Sequence, residues 1–131
     1  MVSIAPQSSD PGWVTDDPSW LGSAHGTDAT ETVTLDVSLF DAETHYPDGY
    51  LPSGLNLAQV TTTGLFGPYD NAATDGRGTF EGHLVAPRHV ASATQRIAAG
   101  MLTHGRVVEA NLPVPIDASG KTDAAGRIRY V

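Results

Sequence analysis

The side chains that could carry chemistry in this sequence are five histidines and fifteen carboxylates, with no cysteine among them. Metal binding would need His, Asp or Glu at short repeating spacings. His25, His45, His83, His89 and His104 form neither an H-E-x-x-H nor an H-x-H pattern, and the absence of Cys excludes a zinc finger or ribbon. Residues 70–76 (DNAATDG) have the outline of a calcium loop. They lack ligands alternating at the first, third and fifth positions, and no distal Glu follows. Gly76-Arg77-Gly78 is no dinucleotide fingerprint, because Gly82 falls at the wrong offset and no strand-then-helix surrounds it. A G-x-S-x-G nucleophile elbow does not occur. Glu81 and Glu109 fall inside expected strands near apolar residues, and a paired-carboxylate hydrolase needs a cleft that so small a body hardly offers. The expectation is a protein that is not an enzyme and uses no metal or cofactor.

Binding chemistry is better represented. Both tryptophans, Trp13 and Trp20, fall with Leu21 inside a polar run, residues 1–28, rich in Pro, Gly, Ser and Asp. Two readings stay open. Aromatic anchors in an extended arm suit docking on another protein, since Trp is over-represented among binding hot spots. Alternatively the arm folds back and Trp20 caps the chain's own core.

Charge divides the chain. Residues 1–76 hold eleven Asp and Glu and no Lys or Arg, a sum of −11. Residues 77–131 hold all seven basic residues against four acidic ones, a sum of +3, which gives the net −8. An acidic half of this kind repels phosphate, so neither nucleic acid nor an anionic membrane is the expected partner. It suits a basic protein surface, with the salt dependence that follows.

At 131 residues the chain is one domain. No run approaches the roughly 18 apolar residues of a membrane helix, and the N-terminus lacks the pattern of a signal peptide. Fourteen Gly and nine Pro point to many turns. The clearest strand covers residues 31–39, with Val33, Leu35, Val37 and Leu39 alternating against Thr32, Thr34, Asp36 and Ser38. Further short strands are expected over 55–60, 61–66, 80–86 and 126–131. A hairpin at His104-Gly105 is expected between runs at 96–103 and 106–112. Residues 67–76 and 117–121 read as loop and turn, and 91–99 as the one place for a helical turn. The expected fold is mostly β, with six or seven short strands and long loops.

The segment from Leu55 to the end resembles the body of the lambda-type phage head decoration proteins. The resemblance rests on the order of several short marks. They are a Pro52-Ser53-Gly54 turn before an apolar start, Asp75-Gly76 and then Gly82-His83-Leu84. Thr103-His104-Gly105 follows, then residues 106–113 (RVVEANLP) and the terminal residues 125–131 (AGRIRYV). Upstream, residues 19–26 (SWLGSAHG) and 44–54 (THYPDGYLPSG) are similar to versions from phages of actinobacteria.

What the resemblance implies is a small β-clip-like, or β-tulip-like, domain that forms homotrimers. These would sit on the outer surface of the expanded capsid at local three-fold positions, after synthesis in the host cytoplasm. An N-terminal arm would add a strand to the major capsid protein and hold the shell against internal DNA pressure. On that basis residues 1–50 are expected to be a capsid-binding arm and strand, and 51–131 a body that trimerises by itself. The expected capsid-binding residues are Trp13, Trp20, Leu21, Thr32, Val33, Thr34, Leu35, Asp36 and Val37, with residues 32–39 as the added strand in the β-augmentation mode. The competing expectation is a small phage fibre or carbohydrate-binding β-module, which needs a shallow aromatic-lined site.

Overall fold

The computed structural model describes residues 16–131. The run Thr32-Val-Thr-Leu35 sets β1 (Glu31–Asp36), since β-branched residues pack well on a pleated surface. Val33 and Leu35 are buried while Thr32 and Thr34 are exposed. The Asp36 carboxylate then accepts from Ser38 N–H at 3.1 Å and ends the strand in a 3-10 turn over Val37–Leu39. A short β2 (Tyr50–Leu51) follows. The pair β3 (Asn56–Gln59) and β4 (Phe66–Pro68) is an antiparallel hairpin. After it come β5 (Gly82–Leu84), β6 (Arg88–His89) and the long β7 (Arg96–Leu102).

The C-terminal part contains β8 (Gly105–Val107), one helix, α1 (Ala118–Asp123), and β9 (Ile128–Tyr130). Asp117 caps α1 by accepting from Gly120 N–H at 2.8 Å. A 3-10 turn spans Glu109–Asn111.

Strands β1, β4, β3, β5 and β7 close, in that order, into a barrel. Its longest joint is the antiparallel pair of β1 and β7, in register from Glu31↔Met101 to Asp36↔Arg96. Strands β2 and β6 form a separate antiparallel pair, and β8 and β9 a parallel one. Alternation fills the barrel with Val33, Leu35, Leu57, Phe66, Leu84, Ile97 and Met101. A second cluster lies outside it, built from Trp20, Phe80, Leu102, Val107, Ile116, Ala124 and Ile128. Gly82 is where the two meet: a Cβ there would collide with the Leu102 carbonyl and the Met101 side chain.

The mostly β expectation holds, and four local expectations change. Residues 96–103 and 106–112 do not form a hairpin, because β8 pairs with β9 and β7 pairs with β1 and β5. Residues 91–95 form a turn tied by the Gln95 side chain, which accepts from Ala91 N–H at 2.8 Å, and the residues beyond it are strand, not helix. The expected turn at 117–121 is the start of α1. Residues 61–64 turn between β3 and β4, with Gly64 N–H donating to Val60 O, so the strand expected at 61–66 begins only at Phe66.

Candidate functional site at the root of the N-terminal segment

The chain enters the body at Trp20. Residues 16–19 are exposed, whereas Trp20 is completely buried. Its indole N–H donates to Ser53 Oγ at 2.7 Å, and that hydroxyl donates onward to Val85 O at 2.7 Å. The ring lies against the Cα of Gly54 so closely that a Cβ there would come within 2.9 Å of it. Gly54 also has φ +95°, a conformation that L side chains rarely adopt. Backbone bonds complete the attachment. Val108 N–H donates to Trp20 O at 2.7 Å, Gly22 N–H to Arg106 O at 2.8 Å, and Leu21 bridges to Val107. Residues 20–22 thereby lie antiparallel along β8 through one isolated bridge.

His83 completes the junction from β5. The side chain is fully buried, 5.5 Å from the Trp20 ring, 4.9 Å from Phe80 and 5.8 Å from Tyr130. Its Nδ1 lies 3.1 Å from Gly54 O and its Nε2 lies 2.8 Å from Tyr130 Oη. A carbonyl can only accept, so Nδ1 carries the proton and Nε2 accepts from the tyrosine hydroxyl. Burial without a countercharge drives the imidazole pKa down to about 4. The same burial raises that of Tyr130. This histidine is a neutral joint between three segments, and its ring nitrogens are both occupied.

The expected capsid-binding residues therefore divide. Trp13 lies outside the described residues. Trp20 is in the chain's own core, the fold-back alternative, and Leu21 is half-buried against β8. The added-strand expectation for residues 32–39 is corrected. Val33, Leu35 and Val37 point into the barrel, and β1 is paired along its length with β7. Thr32 and Thr34 are exposed, but on a strand whose other face is core, and Asp36 caps the turn that ends it. Apolar alternation marks a half-buried strand without saying whose sheet it joins. The boundary at residue 50 moves for the same reason: a body beginning at 51 would lack a barrel strand.

Backbone direction along β1 follows from one bond. Val37 N–H donates to Gln95 O at 3.0 Å, continuing the register of β1 and β7. Odd-numbered residues thus bond to β7, and Thr32, Thr34 and Asp36 direct their peptide groups to the other side. There β4 meets β1 at Leu35↔Phe66.

Other polar groups serve the fold. Tyr69 donates to Asp117 at 2.8 Å, and burial with that bond raises its pKa. Arg127 donates to Thr103 O at 2.9 Å and Glu81 O at 3.1 Å, while burial raises the Glu81 carboxyl. His45 Nδ1 accepts from Asp41 N–H at 2.8 Å, and burial lowers its pKa. Among the described residues no three His, Asp or Glu side chains gather in a way that could hold a metal ion. The arrangement can anchor and present a segment of chain. A search against models of protein families returns no match for this sequence, and a search of curated proteins returns none either.

Proposed function

We propose that this protein is a phage head decoration protein. In this reading it binds the outside of the expanded capsid as a homotrimer at local three-fold positions and stabilises the shell. It acts by binding, without catalysis. One observation carries the reading: several of the scattered marks that resemble this family, those at 19–26, 52–54, 82–84, 106–113 and 125–131, meet at a single buried junction. Ser53 and Gly54 hold Trp20, His83 joins Gly54 to Tyr130, and Gly22 and Trp20 bond to the 106–108 backbone. These marks, weak singly, form one physical unit, and that unit fixes the root of an N-terminal segment on the cluster packed outside the barrel.

The capsid-binding arm is accordingly residues 1–19, with Trp13 as its aromatic anchor. Three arms on one trimer add avidity, so each need bind only weakly. The test is co-sedimentation with expanded heads of the phage that encodes this chain. Binding that saturates on expanded heads, is weaker on unexpanded ones and is lost on deleting residues 1–17 supports the proposal. Absence of binding at excess protein overturns it.

A further inference from the structure

Arg106 of β8 and Arg129 of β9 stand directly opposite one another in the parallel register. Gly105, Val107 and Ile128, their neighbours along the two strands, are buried, so alternation turns both arginines to solvent, where both are exposed. Like charges at facing positions repel. Neither arginine is in an ion pair among the described residues, where the pairs are Arg77 with Asp75 and Lys121 with Glu109. Arg129 also lines an open groove of about 330 Å³ with His25, Gly105, Gly126 and Arg127. The Arg127 guanidinium is held beside that groove by the carbonyls of Thr103, Glu81 and Asp123. A chain of net charge −8 therefore sets two exposed arginines, Arg106 and Arg129, side by side, while Arg127 beside them lies near the Glu81 carboxylate.

The sign selects an acidic partner, and the net charge selects its kind. A phosphate polymer or an anionic membrane would meet the patch but be repelled by the remaining surface. A second copy of this chain offers what the patch lacks. Residues 1–76 carry −11 with no basic residue, and the turn at 41–48 exposes Glu43 and Asp48, neither of them in an ion pair among the described residues.

We infer that the Arg106–Arg129 face receives the acidic 41–48 turn of a second copy. The inference rests on the self-association in the reading above and names the surfaces that make it. The trimer of the reading above makes the contact head to tail, and it closes into a three-membered ring when each copy is turned by a third of a circle.

Sedimentation of the full chain tests this. The wild type should self-associate at low salt and dissociate as salt screens the contact. Reversing the patch with Arg106→Glu and Arg129→Glu should weaken association by about tenfold or more, as should Glu43→Lys with Asp48→Lys. Combining both reversals in one chain should restore assembly, because every contact of the ring then joins opposite charges again, an outcome that a misfolded variant cannot give. The single neutral change Arg129→Gln, with its melting curve, gives a second reading of the same contact. A wild type that stays monomeric at low salt overturns the inference. So does association indifferent to salt and to both reversals. Loss of head binding with self-association intact would assign the patch to the capsid, and also overturns it. Self-association that follows these rules in a protein that ignores capsids would leave this inference standing and remove the decoration reading.

Discussion

The indole N–H of Trp20 donates to Ser53 Oγ at 2.7 Å, with both side chains buried, across 33 positions of sequence. This bond ties the stretch before the first strand to the turn after the second. Trp20→Ala should cost about 3–5 kcal/mol, the range for a buried aromatic. Ser53→Ala should cost about 1–3 kcal/mol, because it strands the indole donor in a buried site. Deleting residues 1–17 should change stability by less than about 0.5 kcal/mol, as for surface changes generally. Denaturant unfolding of the three variants checks the order.

The neutral His83 makes stability depend on pH. Its folded pKa, about 4, lies below the ordinary 6.5, so the unfolded chain binds the extra proton first. The contribution is complete above about pH 6.5 and is lost as pH falls through about 4. Its size is on the order of 3 kcal/mol. His83→Phe should be less stable at neutral pH, where Tyr130 loses its acceptor, and should show a flatter pH dependence between those limits. An unaltered slope would contradict the buried neutral assignment.

Proline substitutions separate the two sides of β1. Leu35→Pro removes a bond to β7 and a core side chain, and it should prevent folding. Thr34→Pro removes a donor directed away from β7 from an exposed position, so it should be milder. Circular dichroism and melting of both proteins decide the matter. Equal stability of the two variants would contradict the register of β1 and β7.

Some of this was legible in the sequence. The alternation of Val33, Leu35 and Val37 located β1 and its buried face, and the 126–131 alternation located β9, with Ile128 turned inward. Their partners were not legible, because β1 meets β7 about sixty residues away and no local pattern encodes that distance. The helix α1 was hidden by a turn-like composition, Asp-Ala-Ser-Gly-Lys, in which Asp117 is both a turn residue and an N-cap. Trp20 was visible as an anchor, but its target was not. That target depends on Ser53, Gly54 and His83, whose types are ordinary until the fold brings them together. The arginine pair was equally silent, since Arg106 and Arg129 become neighbours only through the parallel joint of β8 and β9.

Decoration should also raise the temperature at which filled heads release DNA. Ligands that bind only the intact state stabilise it by mass action. An unchanged release temperature at saturating occupancy would contradict a clamping role.

Electron microscopy of expanded heads, bare and after incubation with this protein, tests the decoration reading most directly. The account predicts added three-lobed density at the local three-fold positions, with a thin connection from each lobe reaching the capsid floor, and none after deletion of residues 1–17. No added density at saturating protein would contradict it, as would density retained in full by the deletion.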